Sequence, residues 1–140
     1  MTEFVLEKMK QWLMSCPLWE GRLFVDCHDG RPGSAGLYPA GVEQVQRRED
    51  VLGNVTAVYR CHFDLLRVTT GQQDNTQNAH WLLEFQNWVH QQCCQGLAPK
   101  FGDEPAREQI RAEKGRLKSA PQTGTGIYTV HLTAEFVWKG

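Results

Sequence analysis

The chain has 140 residues and a mass of 16.0 kDa, a single-domain length that buries roughly 70% of its unfolded surface without covalent staples. Hydrophobic residues make up 41% and charged residues 22%, ordinary for a soluble globular protein. Fifteen basic against sixteen acidic residues leave a net charge of -1, which excludes a strongly basic nucleic-acid binder and an acidic tail.

The longest apolar runs are only a few residues, too short for a transmembrane helix. Met1-Thr2-Glu3-Phe4 lacks a basic region followed by a long apolar stretch, so no signal peptide is expected and cytosolic residence is the default. The cysteines are Cys16, Cys27, Cys61, Cys93 and Cys94. An odd count without an export signal reads as reduced thiols. No C-x-x-C is present, and the neighbours Cys93 and Cys94 point to different faces of a helix.

The first expected element is a helix over 3–15, with Thr2 as its cap and Glu3 in its first turn. Val5, Met9, Trp12 and Leu13 recur at helical spacing and form one apolar face. Cys16-Pro17 ends it, because proline disfavours helical geometry in the residue before it. Residues 22–27 read as a short strand with Leu23, Val25 and Cys27 on one face. Three glycines and a proline across 28–36 predict a loop.

Two strands, 42–50 and 55–69, flank Gly53-Asn54, which predicts a tight hairpin with positive φ at both residues. In the second strand Val55, Ala57, Tyr59, Cys61, Phe63 and Leu65 face one way; Thr56, Val58, Arg60, His62 and Asp64 face the other. A polar turn over 70–74 leads to a helix over 76–94, capped by Asp74 or Asn75. Trp81, Phe85, Trp88 and Val89 make its apolar stripe, and Gly96 is its stop. Residues 97–108 read as irregular, 109–118 as an extended strand, and 119–126 as a second loop. The last strand, 127–138, alternates Tyr128, Val130, Leu132, Ala134, Phe136 and Trp138 against Thr129, His131, Thr133 and Glu135.

Strands adjacent in sequence and joined by turns should pair antiparallel. The expected fold is α+β in one domain over 1–140. A single antiparallel sheet of about four to five strands carries both helices on its apolar face.

Chemical motifs are sparse. There is no phosphate-binding loop, no dinucleotide fingerprint, no His-Glu-x-x-His and no nucleophile elbow. Asp26-Cys27-His28-Asp29 gathers reactive types, but neighbours on a strand point to opposite faces, which does not make a Cys–His nucleophile pair. His90 with Cys93 or Cys94 has ligand spacing on a helix, without a second half to complete a zinc site. His62 and His131 lie on the polar faces of long strands, where pairing across the sheet is open to them. From 106 to 120 the charge is +3, through Arg107, Arg111, Lys114, Arg116 and Lys118 against Glu108 and Glu113. No aromatics alternate with these charges as a nucleic-acid stacking platform requires. Five tryptophans in a small chain with few catalytic types fit an assembly component better than an enzyme.

Several segments together carry a resemblance. They are Asn78-Ala79-His80-Trp81-Leu82-Leu83-Glu84-Phe85-Gln86-Asn87-Trp88-Val89 with Gln92, then Pro99-Lys100-Phe101-Gly102, then Ile110-Arg111-Ala112-Glu113-Lys114-Gly115. The closing strand from Gly126 to Phe136 and the stretch Gly36-Leu37-Tyr38-Pro39-Ala40-Gly41 complete the set. In element order and scattered residues the chain resembles the minor tail (minor capsid) proteins of tailed bacteriophages and prophages, of the tail terminator or tail completion type. The resemblance spans residues 3–138. It implies a non-enzymatic subunit of a hexameric ring at the head-proximal end of the virion tail. Such a ring caps the tail tube, ends its polymerisation and presents a surface to the head–tail connector proteins. DNA passes through its lumen without sequence-specific binding, and no membrane is involved. The family has no catalytic residues, cofactor or metal to carry over. Its ring contacts would map here onto the loops 28–41 and 119–126 and the basic strand, through His28, Asp29, Arg31, Tyr38, Arg111, Lys114, Arg116, Lys118 and Gln122. Other readings stay open on the residues alone: a head–tail connector or other minor tail subunit, a binding adaptor, or a small cytosolic enzyme using Cys27 or His28.

Overall fold

Both periodicities translate into burial in the computed structural model, which describes residues 2–17, 23–25, 35–70, 76–119 and 125–139. Helix α1 spans Thr2–Met14. Val5, Met9 and Leu13 are fully buried along one side. The helix already includes Thr2, so this threonine is its first residue and not the cap ahead of it. It closes by a tight last turn before Pro17, with the Ser15 N–H donating to Trp12 O at 3.0 Å and the Cys16 N–H to Leu13 O at 3.1 Å.

The second helix, α2, spans Thr76–Cys94 and buries Trp81, Leu82, Phe85 and Val89. Its expected caps, Asp74 and Asn75, lie outside the described residues. At its far end Gly96 takes a φ of 72°. There the Leu97 N–H reaches Gln92 O at 2.9 Å and the Gly96 N–H reaches Cys93 O at 3.3 Å, which together satisfy two terminal carbonyls. The helices meet where Trp12 stacks on Trp88, ring centroids 5.0 Å apart. Trp12 Nε1 also donates to Gln92 Oε1 at 3.1 Å. No helix among the described residues is long and apolar enough to cross a membrane.

The strands are β1 (Leu23–Val25), β2 (Ala35–Glu49), β3 (Val55–Thr70), β4 (Gln109–Ser119) and β5 (Thr125–Lys139). They form one sheet in the order β1-β2-β3-β5-β4. The four long strands are antiparallel, and the fold is α+β with both helices on one face. The inward rows of β3 and β5 expected from alternation form the core: Ala57, Cys61, Phe63 and Leu65 from one, Tyr128, Val130, Leu132, Ala134 and Phe136 from the other.

Three expectations are corrected. First, β1 pairs with β2 in parallel, Leu23 opposite Ala35 and Val25 opposite Leu37. A parallel pair needs a connection that returns to the starting end; residues 26–34, which make it, lie outside the described residues. Second, Ala35–Gly41 is strand and not loop. Gly36, Leu37 and Tyr38 pair with Leu66, Leu65 and Asp64, and the register then shifts between Pro39 and Gly41. Gly41 adopts a φ of 118° at this bulge. Glycine and proline here serve a bulged strand at a sheet edge, where proline costs no ladder bond. Third, the hairpin between β2 and β3 has a five-residue connection, 50–54, in which only Gly53 has positive φ.

The chain between α2 and β4, with a 3-10 turn at Pro105–Arg107, closes one end of the sheet. Phe101 packs on Phe136, centroids 5.7 Å apart, and Trp138 Nε1 donates to Phe101 O at 3.0 Å. The Asp103 N–H donates to Val137 O at 2.8 Å. Glu108 Oε1 accepts from the N–H groups of Phe101 at 2.6 Å and Gly102 at 3.2 Å.

This strap leaves no room for a side chain at Gly102, where a Cβ would stand 2.2 Å from Val137 O. Gly102→Ala is therefore expected to lower unfolding free energy by about 1–3 kcal/mol. Denaturant titration would measure it, and an unchanged midpoint would contradict the close approach.

Candidate functional site

The face of the sheet away from the helices carries a connected set of charged side chains. Strand register brings them together. Glu43 on β2 lies opposite Arg60 on β3, which lies opposite Glu135 on β5. Asp64 lies opposite His131, and His62 opposite Thr133. Arg111 on β4 lies opposite Thr133 from the other side.

Within this set the two histidines form the centre of a hydrogen-bonded chain. His62 Nε2 is 3.1 Å from Glu43 Oε1. His62 Nδ1 is 3.1 Å from His131 Nε2, with the rings stacked at 5.2 Å. His131 Nδ1 is 3.0 Å from Asp64 Oδ1. A carboxylate only accepts, so each outer ring nitrogen is an N–H. The inner contact then needs one proton between its two nitrogens. Arg60 Nε adds an ion pair to Glu135 at 3.0 Å, and the guanidinium of Arg111 stands 3.8 Å from the same carboxylate. Glu43, Asp64 and Glu135 thus stand among two guanidiniums and two imidazoles, with Glu113 of β4 opposite His131 on the same face. The patch is polar, and its hydrogen-bonding groups are engaged with one another.

The sequence-predicted residues distribute unevenly. His28, Asp29, Arg31 and Gln122 lie outside the described residues, as does the Cys27–His28 cluster. Tyr38 sits in strand β2, opposite Asp64. Arg111 belongs to the charged network. Lys114 occupies a bulge of β4 with a φ of 57°, and its side chain is exposed. Arg116 lies in β4 opposite Thr129 and Lys118 beside it; their side chains lie outside what is described. The described part of the basic stretch is therefore not one continuous row, since Arg111 is paired and the bulge intervenes.

The helical cysteines separate as neighbours on a helix must. Cys93 Sγ donates to Ile110 O at 3.4 Å, whereas Cys94 is exposed with its sulfur 3.6 Å from His90 Nε2. No group of three or more His, Cys, Asp or Glu side chains that could hold a metal occurs among the described residues.

The two edges of the sheet differ. On β4, Gln86 Nε2 donates to Ala112 O at 3.2 Å, and Cys93 covers Ile110 O, so α2 closes part of that edge. On β2, β1 pairs only with Ala35–Leu37. From Pro39 to Glu49 every residue of β2 is exposed, on both faces. The hairpin runs past the end of β5, whose Lys139 pairs with Thr56. Its tip presents Val51 and Leu52, 102% and 84% exposed. Asp50 rigidifies the tip: its carboxylate accepts from the N–H groups of Leu52 and Asn54, each at 2.9 Å, and from Asn54 Nδ2 at 3.0 Å. These hydrogen bonds, chiefly those from Asn54, hold the Asp50 carboxyl below its ordinary range.

The chain matches no protein-family model, and no curated protein matches it.

Alternation had already put His62, Asp64 and His131 on polar faces; Glu43 entered only through β2 register. Imidazole nitrogen NMR is expected to find a hydrogen bond between His62 Nδ1 and His131 Nε2. Two rings with no coupling across this contact would contradict the chain. Glu43→Gln is expected to cost no more than about 1 kcal/mol, because these groups are partly solvated. Burial pushes the Cys61 thiol up to about 11, which leaves it protonated and inert at neutral pH. Thiol reagents are expected to modify the exposed Cys94 before Cys61, and Cys61 only on unfolding, as read by mass spectrometry of the labelled peptides.

Proposed function

We propose that this protein is a structural subunit of a bacteriophage tail, of the tail terminator type, and not an enzyme. Copies of the chain assemble into a ring, six subunits in the resemblance noted above. The ring caps the tail tube, stops its growth and offers a surface to the connector proteins of the head. In this reading the protein resides at the head-proximal end of the virion tail, and in the host cytoplasm during assembly. DNA threads its lumen without sequence-specific contact.

The observation that carries the proposal is the strand β2 from Pro39 to Glu49, exposed on both faces and ending in the bare apolar tip Val51–Leu52. Within one molecule the side chains of this element bury little against their own chain. An assembling subunit gains an interface. The edges also differ, one partly closed by α2 and one open, which favours head-to-tail contacts over self-complementary ones. Bulges and charges along β2 oppose uncontrolled edge pairing, a property a closed assembly requires. The net charge of -1 allows like subunits to approach.

Light scattering at low and high protein concentration tests the reading. The expected species is near six times 16.0 kDa, with rings visible by electron microscopy. A chain that stays monomeric at every concentration, and that forms no ring when added to tail tubes, would refute it.

A further inference from the structure

The exposed tip has a counterpart elsewhere on the same chain. Between α1 and the bulged part of β2 lies an apolar cleft of about 250 Å³. Val5 and Leu6 of α1, Pro39 and Val42 of β2, and Phe63 of β3 line it. An apolar cavity of about 150 Å³ already accepts a benzene ring, so this cleft has room for an aliphatic side chain. The tip cannot fill it within one molecule. Val42 and Glu49 are seven residues apart on an extended strand, about 23 Å, and the tip lies beyond Glu49.

We propose that the cleft receives the Val51–Leu52 tip of a second copy of this chain. This deepens the assembly reading given above and rests on it. Each subunit then inserts one tip and accepts one tip, at sites well separated on its surface. Such a contact is head-to-tail, and repeated with a closing rotation it gives a ring. The Asp50–Asn54 hydrogen bonds matter here, because a tip held in one shape loses little freedom on docking. The two partners also match chemically: aliphatic side chains bare to water on one side, an aliphatic and aromatic lining on the other.

Two variants separate the halves of the contact. Val51→Asp with Leu52→Asp removes the tip, and Val42→Asp charges the cleft at a residue exposed enough to tolerate it. Each variant alone is expected to be a folded monomer. Mixed in equal amounts, they retain one good tip and one good cleft. They should form a species near twice 16.0 kDa and nothing larger. Val45→Asp, on the same strand but outside the cleft, should assemble like the unaltered protein. If the tip variant forms the full assembly, the tip-in-cleft contact is wrong while the ring reading survives. If the unaltered chain does not assemble at all, the ring reading is what suffers, and a cross-link still decides the contact. For that, Leu52→Cys and Val42→Cys chains, both in a Cys94→Ser background, are mixed at high concentration under oxidising conditions. A disulfide between residues 52 and 42 of different chains, located by peptide mass spectrometry, is the expected product. Its absence overturns the proposal.

Discussion

Strands β3 and β5 pair without a bulge, from Thr56 opposite Lys139 to Thr70 opposite Thr125. Because side chains alternate along a strand, this single register sets two surfaces at once. Inward it aligns Cys61, Phe63 and Leu65 with Ala134, Leu132 and Val130, the floor on which α1 and α2 pack. Outward it aligns Arg60 with Glu135 and Asp64 with His131. A slip of one residue would turn apolar rows to water and charged rows to the helices, so the register is strongly specified.

The outer face is then a consequence of the inner one. The charged groups there are partly solvated, and each individual ion pair contributes little stability. Their value is mutual consistency. Glu43, His62, His131 and Asp64 satisfy one another only in this register, and a shifted sheet would leave them facing unlike partners. In the function proposed above, this face is an assembly surface. Its donors and acceptors are engaged with each other, and the described thiol in the sheet core, Cys61, is held protonated by burial.

Where β3 and β5 protect each other, β2 and β4 are left to manage the sheet edges. On β4, side chains of α2 take up main-chain carbonyls. On β2, two bulges, a proline and several charges interrupt the edge, while its faces stay bare. An edge strand of this kind is costly for a solitary molecule and useful for one that joins copies of itself. The apolar tip and the apolar cleft sit at opposite ends of this exposed strand, which gives the assembly reading its direction.

Much of this was legible in the residues. Helical spacing in Val5, Met9, Leu13 and in Trp81, Phe85, Val89 identified the buried faces, and alternation in β3 and β5 identified the core rows. Gly96 marked the end of α2. These signals are local: a side chain's face follows from the repeat of its own helix or strand. Other features depend on which distant segments become neighbours. Residues 28–36 read as loop from composition, yet from Ala35 onward the chain is strand, with Gly36, Leu37 and Tyr38 pairing with Leu66, Leu65 and Asp64. The parallel partner of β1, the bulges of β2, the Glu43–His62–His131–Asp64 chain and the cleft beside Val42 are all of this kind. The amino-acid pattern by itself determined the class of fold and the inward faces, because burial periodicity is written residue by residue. Only the tertiary structure decided the register, the open edge and the meeting of the two histidines, because those are set by packing between segments far apart in the chain.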